Sequence, residues 1–575
     1  MNSVALLVVL PFVGALFGLV GKLAPAPRLF SVAAVLPLLP MIGLLAVSLP
    51  IVRAGSVISY AMGGWPEPIG IALHLDGLAW LSSALIVVIA VAVCIASFCR
   101  TGYGPSFFFF LMILISGMQM VVLTGDIFTL FVSFEIVALA AYVLIAYDQT
   151  DAGLLASLKY LILSTVGILF FLFGVFLIYR DFGTLSLATI RMLASERGGA
   201  ADGLTDTRSI HFAVAALCVG IGVRTAFIPF HTWLPEAHAY APHPVSAILS
   251  GVVIKVSFLA MIRIVWTLSA GYLNELLLWI GAITSILAVV WALAQSDTKR
   301  LLAYHSISQM GYVLAAIGAA SATSLTAGFS HAVNHALFKS LLFLVAGTAI
   351  RMTGERDLFR SPSIGRHAPI LAGAFIVGAL SISGIPPFNG FASKQLVAAA
   401  LGDSPAYLLL RVTAVGTMAS FIKVSRIVVP VGTLTRRGGA AAASVGRRVS
   451  GAVAPAGPLI HVPAVLLALL CVLTGLFAPT LAAFYSDLLA PAALRQGSPV
   501  AVAVAQSGGL ASFYKPAKLI ETAIVIAAGW ALYRLVLTPY GKRVAGSIKH
   551  VAPELRTVLL YFVAGLGLFA LFAYV

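Results

Sequence analysis

Residues 128–147 read FTLFVSFEIVALAAYVLIAY, an apolar run that carries a single charge, Glu135, near its middle. About 20 apolar residues in an α-helix rise about 30 Å, the thickness of a bilayer's hydrocarbon core. The run is therefore read as a membrane-spanning helix. An ionised side chain at the centre of such a helix costs roughly 3 kcal/mol on insertion scales, so it is rare unless it is used. The same tension between lipid and charge recurs along the whole chain.

Of 575 residues, 61% are hydrophobic and only 9% are charged, a balance that would not stay dissolved in water. Apolar runs predict about sixteen helices, near residues 3–20, 30–50, 77–98, 106–123, 126–147, 156–179, 212–229, 244–266, 274–295, 300–319, 325–349, 369–398, 405–430, 459–483, 516–538 and 557–574. The N-terminal MNSVALLVVLPFVGALFGLV lacks the basic leader and small-residue cleavage site of a signal peptide, and is expected to be a retained first helix. The net charge of +16 comes from Lys and Arg in short connections, with no basic domain, which favours membrane topology over nucleic acid.

Loops after odd-numbered helices hold most of this charge: Lys22, Arg28, Lys299, Arg300, Arg351 to Arg366, Arg436, Arg437, Arg447, Arg448 and Lys542 to Arg556. The positive-inside rule then puts both termini on the non-cytoplasmic side. The long connection 180–211, with Arg180, Arg191, Arg197 and Arg208, runs against it. Residues 431–458 read as a flexible basic Ala/Gly-rich loop, and 484–515 as a partly interfacial segment. Cys94, Cys99, Cys218 and Cys471 lie in apolar segments without ligand spacing, so they are expected to be buried thiols, with no disulfide framework.

Two helices are interrupted by proline. The seventh ends as Arg224-Thr-Ala-Phe-Ile-Pro229-Phe-His231, and the twelfth contains Ser383-Gly-Ile-Pro386-Pro387-Phe-Asn-Gly390 before resuming at Lys394. Proline removes a helical hydrogen bond, which in lipid is tolerated only where protein or water satisfies the freed carbonyls. An ordinary kink explains either break alone. Two breaks five helices apart fit inverted five-helix repeats, with a transport path beside the breaks.

Other charges join Glu135 inside apolar runs: Lys159 in LLASLKYLILSTVG, Arg224 before the first break, Lys255 in SAILSGVVIKVSFLAMI, His331, His335 and Lys339 in GFSHAVNHALFKSLLFLVAG, and Lys394 after the second break. His331, His335 and Lys339 are spaced by four and share one helical face. Lys159 and Lys394 also fit side chains that snorkel to an interface, and Glu135 with Arg224 also fits a static ion pair. The histidine pair resembles half a metal site, but no glutamate follows His331 as in HExxH, and no metal is expected. Lysine in an apolar interior and histidine near neutral pH both exchange protons, whereas arginine keeps its own. Lys, His and Glu with Ser308, Gln309, Asn334 and Ser340 beside them form a plausible relay.

From Arg224 the chain reads RTAFIPFHTWLPEAHAYAPHPVSAILSGVVIKV, and FTLFVSFEIVALAAYVL, LLAYHSISQMGYVLAAIG, NHALFKSLLFLVAG and SGIPPFNGFASKQLV stand around it. This set resembles the antiporter-like subunits shared by respiratory complex I, the Mrp-type cation/proton antiporters (their D-type subunit) and membrane-bound hydrogenase and formate hydrogenlyase complexes. The resemblance spans roughly residues 77–430. It implies an all-α integral membrane protein of about 14–16 transmembrane helices with two inverted five-helix repeats, each with an interrupted helix.

The resemblance also implies roles. Glu135 and Arg224 stand where the family has a switchable glutamate–lysine pair, Lys255 at its central lysine, His335 and Lys339 at the eleventh-helix relay, and Lys394 at the terminal position. Lys159 joins the relay, with His231, Glu236, His238, His305 and His331 as further relay or gating groups and Pro229, Pro386 and Pro387 as the breaks. Arg224 departs from the family's lysine and keeps its charge. Gln309 stands where some members have a histidine, for which His305 is a substitute.

The expected organisation is residues 1–105 as N-terminal helices, 106–268 and 269–430 as the two repeats, 431–458 as the basic loop and 459–575 as C-terminal helices. The expected function is proton translocation inside a multi-subunit complex of a bacterial or archaeal-type inner membrane, with other membrane subunits as partners. The alternatives are a Na+ or K+/proton antiporter subunit of Mrp type, a quinone-reactive oxidoreductase subunit, and a static scaffold. No Rossmann, P-loop, flavin, haem or iron–sulfur motif appears, so no cofactor and no catalytic chemistry on this chain are expected, although it fits within an oxidoreductase complex.

Overall fold

The computed structural model describes residues 3–99, 102–196, 207–268, 273–321, 323–429, 457–495, 514–550, 564–567 and 571. In chain order the helices are α1 Ser3–Gly21, α2 Pro27–Val35, α3 Leu38–Arg53, α4 Gly77–Phe98, α5 Pro105–Leu123, α6 Ile127–Ile145, α7 Asp151–Phe182, α8 Leu187–Glu196, α9 Thr207–Thr225, α10 Trp233–Tyr240, α11 His243–Ile248 and α12 Ile254–Leu268. They continue as α13 Asn274–Ala294, α14 Thr298–Gly318, α15 Ser324–Thr353, α16 Pro369–Ser383, α17 Asn389–Leu401, α18 Pro405–Val424, α19 His461–Leu476, α20 Ala478–Arg495, α21 Pro516–Val536 and α22 Pro539–His550. Between α3 and α4 lies an antiparallel hairpin of β1 Ile58–Ala61 and β2 Ala72–Leu75, with Ser59 opposite His74.

Thirteen helical spans are long and apolar enough to cross a membrane. With α14 and the broken pair α16–α17 they make fifteen crossings among the described residues. The chain is an all-α integral membrane protein, and its duplication is written in how helices start and stop.

The Asp126 carboxylate accepts from the Thr129 amide at 2.6 Å to start α6, and the Asp297 carboxylate accepts from the Arg300 amide at 2.8 Å to start α14. Both α7 and α15 end on a glycine at φ 68°, Gly183 and Gly354, a conformation that a Cβ would disfavour. The chain then returns to tie the same helix starts. Ile127 N donates to Leu185 O and Leu187 N to Gly125 O; in the other half Thr298 N donates to Arg356 O and Leu358 N to Ser296 O. Every one of these positions recurs after 171 residues.

The packing repeats as well: α5 lies on α12 as α13 lies on α18, α6 on α7 as α14 on α15, and α7 on α9 as α15 on α16. An odd number of crossings separates the two ties, so one sits on the hairpin face and the other on the opposite face. The repeats are therefore inverted.

Where boundaries differ from expectation, the cause is local. The second predicted helix splits at Leu36–Pro37, and the run 459–483 splits at Phe477, just before Pro479. The seventh stops at Thr225, ahead of Pro229. Within 180–211, α7 runs to Phe182, α8 forms and α9 begins at Thr207, so Arg180, Arg191 and Arg208 are helical; Arg197 lies outside the described residues. The basic loop arginines, residues 496–513 and nearly all of the last predicted helix also lie outside them.

The helices α12 and α15 are buried along almost their entire length, whereas α3 and α21 turn Leu39, Val47, Ile524 and Trp530 outward. The most enclosed helices thus carry Lys255, His331, His335 and Lys339. Beside them α13 and α14 approach backbone to backbone, for a Cβ on Gly281 would fall 2.3 Å from the Ala315 nitrogen.

Candidate functional site

Glu135 and Arg224 meet where α6 crosses the last turn of α9. Arg224 donates from Nη2 to Glu135 Oε1 at 2.7 Å and from Nη1 to the Phe134 carbonyl at 3.0 Å, with its guanidinium 5.1 Å from the Phe134 ring centre. The pair is lopsided: the arginine side chain is 3% exposed and the glutamate 44%. Glu135 borders an apolar groove of about 630 Å³ formed by α1, α5 and α6. A permanent cation is thus locked inside while its carboxylate retains freedom to move.

The break after α9 is held by Trp233, which donates from Nε1 to the Val223 carbonyl at 2.7 Å and stacks on Tyr160 at 3.9 Å. Lys159 does not stand alone in lipid. It donates to Glu236 Oε2 at 2.7 Å, both side chains about one-third exposed, and so bridges α7 to α10.

His231 and Glu236 line a polar cavity of about 330 Å³ with Tyr240, Asp297, Arg300 and Tyr304, on the face opposite the hairpin. His231 stacks on Trp291 at 5.0 Å, and His238, fully buried, stacks on Phe343 at 4.9 Å. Lys299, read from sequence as a loop charge, is instead enclosed and donates to the Ala241 carbonyl at 2.6 Å. It stands in the first turn of α14, against the C-terminal end of α10, where carbonyls lack helical partners.

At the centre, residues Leu249–Val253 form a π-helical turn between α11 and α12. Such a turn displaces the usual hydrogen-bond ladder, and the Lys255 ammonium donates to the Ser250 carbonyl within it. The Ser250 and Ser306 hydroxyls, 2.7 Å apart, join this turn to α14. Lys339 donates to the Leu302 carbonyl at 2.5 Å, beside the Phe343 ring.

Neither ring nitrogen of His335 has a protein hydrogen-bond partner among the described residues. Its ring lies 6.4 Å from that of His331, as the spacing of four required. His331 bonds Gln309 Oε1 through Nε2 at 3.2 Å and the Ser393 hydroxyl through Nδ1 at 2.9 Å. Gln309 thus bonds His331 directly, while the His305 ring rests against Phe421 at 5.0 Å. Ser393 precedes Lys394, whose ammonium donates to the Ile382 carbonyl at 2.7 Å and sits 5.3 Å from the Tyr312 ring centre.

The structure thus joins His331 to Gln309 and to Ser393, the residue before Lys394, and buries Lys255, Lys339 and His335 on α12 and α15. Protons can pass along such a line by hydroxyls and by water held between charged groups. Sequence reading missed Ser393, Tyr312, Glu521 and a buried pair of Arg263 with Asp76 at 3.2 Å. The signal for Arg263 was available, since it follows Lys255 by two helical turns in an apolar run.

A family model described as NADH:quinone oxidoreductase/Mrp antiporter, TM matches residues 124–422. NADH-quinone oxidoreductase subunit N of Desulforudis audaxviator is 33% identical over 438 residues, covering 74% of this chain and 85% of that protein. The D-type subunit of the Na(+)/H(+) antiporter of Alkalihalophilus pseudofirmus is 31% identical over 434 residues, covering 73% and 85%. Among solved structures, a chain of the membrane-bound sulfane sulfur reductase, an archaeal respiratory membrane complex, superposes with a TM-score of 0.75 at 25% identity, covering 91% of this chain and 99% of that one.

Proposed function

The chain belongs to the NADH:quinone oxidoreductase/Mrp antiporter membrane family, and on that premise we propose that it carries protons along its buried relay as one subunit of a multi-subunit membrane complex. The observation that carries this reading is the group of Lys255, Lys339, His335 and His331 buried on α12 and α15, to which the Glu135–Arg224 pair and half-buried Lys394 are added. Burying so many ionisable groups is costly unless they work, because each would be cheaper as an apolar side chain.

Protons enter through the cavity of His231 and Glu236, where Lys159 and Lys299 set the charge. That face carries Arg300, Arg356, Arg360 and Arg366, and by the positive-inside rule it is taken as the cytoplasmic face, against Arg180, Arg191 and Arg208 on the hairpin face. Lys255 is the first lysine beyond the cavity able to hold and release a proton. Arg224 acts as a fixed counter-charge that Glu135 approaches and leaves.

The driver belongs to neighbouring subunits. One similar relative is named for quinone reduction and another for Na+/H+ antiport, so the relay is the shared part and the coupled reaction is supplied beside it. The test is Lys255→Met in the intact complex reconstituted into vesicles, with proton flux read by an internal pH dye. Flux is expected to vanish while the complex still assembles; wild-type flux in Lys255→Met would sink the proposal.

A further inference from the structure

Lys394, the terminal lysine of the relay, borders a cavity of about 70 Å³ shared with Tyr312, Tyr407, Arg411 and Glu521. That volume has room for several waters. Glu521 is the one carboxylate among the lining residues. It comes from α21, beyond the 124–422 region matched by the family model.

We infer that Glu521 is the acceptor through which a proton leaving Lys394 reaches the hairpin face. The inference rests on the relay reading and names its exit. Its geometry begins at the second break, where Lys394 lies across Gly384, a residue at φ 74° whose added Cβ would come 3.1 Å from the lysine Cδ. A bare glycine there leaves the ammonium free to reach toward the cavity.

On the cavity's other side, Glu521 Oε1 accepts from the Tyr407 hydroxyl at 3.3 Å and forms an ion pair with Arg411 Nε at 3.3 Å, and Oε2 accepts from Lys518 at 3.2 Å. Exposure rises from the Glu521 side chain, 24% exposed, to Arg411, 54% exposed, and Lys394 is itself half-buried. Tyr407 and Arg411 stand in the first two turns of α18, which starts on the hairpin face by the count of crossings. The ion pair of Arg53 with Asp487 at 3.1 Å puts α20, which precedes α21, on the same face.

The second repeat has no acid at the position equivalent to Glu135. The 171-residue offset that carries Asp126 to Asp297 carries Glu135 to Ser306, a hydroxyl that relays a proton but stores no charge. The acid is supplied from outside the repeat. In the step proposed, the Lys394 ammonium gives its proton to cavity water, a proton passes to the Glu521 carboxylate, and the carboxylic acid releases it to water on the hairpin face. No bond other than those to the moving proton is made or broken.

The competing role is a clamp, since α21 faces lipid along most of its length, with Ile520 61% and Ile524 62% exposed. The experiment compares Glu521→Gln, Glu521→Asp, the double variant Arg411→Gln/Lys518→Gln, and Lys255→Met in the reconstituted full complex, reading vesicle proton flux and assembly by size exclusion. The expected result is at least a tenfold loss of flux in Glu521→Gln with assembly intact, recovery of most of it in Glu521→Asp, and less than a threefold loss in the double variant. Wild-type flux in Glu521→Gln while Lys255→Met is inactive overturns the inference and leaves the relay standing. Equal losses in Glu521→Gln and the double variant assign Glu521 to holding α21 and also overturn it. An active Lys255→Met removes the relay reading and this inference together.

Discussion

Replacing Arg224 by lysine separates the two things the arginine does. As found, it holds α6 by one hydrogen bond to Glu135 Oε1 at 2.7 Å, one to the Phe134 carbonyl at 3.0 Å and a face contact with the Phe134 ring. A lysine at 224 keeps the charge but has no planar fork, so it serves Glu135 and gives up the carbonyl and the ring. A hydrogen bond involving a charged group contributes roughly 1.5–3 kcal/mol and a cation–π contact roughly 0.5–1 kcal/mol at a partly exposed site. At the low end the loss is about 2 kcal/mol in all. At about 1.4 kcal/mol per factor of ten, the cation's hold on α6 weakens roughly 30-fold.

If opening of this pair gates charge movement, Arg224→Lys transports at the wild-type rate or faster, whereas Arg224→Gln, which removes the counter-charge, loses at least tenfold. Proton flux in vesicles and assembly by size exclusion are the readouts, with rates normalised to assembled complex. A fall in Arg224→Lys as deep as in Arg224→Gln would show that the guanidinium shape itself is required. Wild-type rates in Arg224→Gln would take the pair out of the path altogether.

Other substitutions test neighbouring parts. Gln309→Leu removes the group that bonds His331 at 3.2 Å, and is expected to slow flux several-fold, whereas Gln309→His, which restores a polar partner, slows it less; the vesicle assay distinguishes them. Asp76→Ala deletes the cap of α4, accepted from Ala79 N at 2.7 Å, and strands buried Arg263. The losses are about 1 and about 3 kcal/mol, expected as a lower thermal unfolding temperature in detergent with flux per assembled complex nearly retained. Gly281→Leu wedges α13 from α14, where even a Cβ falls 2.3 Å from the Ala315 nitrogen, and is expected to abolish assembly on size exclusion.

Which of these groups a reader of the sequence can find depends on how improbable each is where it stands. Glu135 and Lys255 are conspicuous because lipid excludes them, and His331, His335 and Lys339 because a spacing of four puts them on one face. Partners are another matter. Lys159 finds Glu236 across 77 residues, and nothing near either side chain announces the other. Lys299 reads as a loop charge because its neighbours Asp297 and Arg300 are polar, and only the docking of α14 on the end of α10 encloses it. The duplication is similarly hidden. Its marks are a capping aspartate, a left-handed glycine and two backbone bonds in each half, and backbone bonds leave little trace in side-chain identity.

The duplicated ties expose a chemical asymmetry between the halves. In the first, the fixed partner is a cation: Arg224 keeps its proton, so only Glu135 can change charge or position. In the second, the position equivalent to Glu135 is Ser306, and the base is Lys394, which can release a proton. A base that releases its proton toward one face needs an acceptor there, and the cavity that reaches it contains Glu521, held by Arg411 and Lys518. On the proposed relay the two halves would exchange roles: an acid moves against a fixed cation in one, and a lysine discharges toward an ion-paired acid in the other. An inverted repeat with identical chemistry in both halves would favour neither face. On the proposed relay the two ends are unlike, a mobile carboxylate at Glu135 and a lysine at position 394, so a neighbouring subunit can drive them separately.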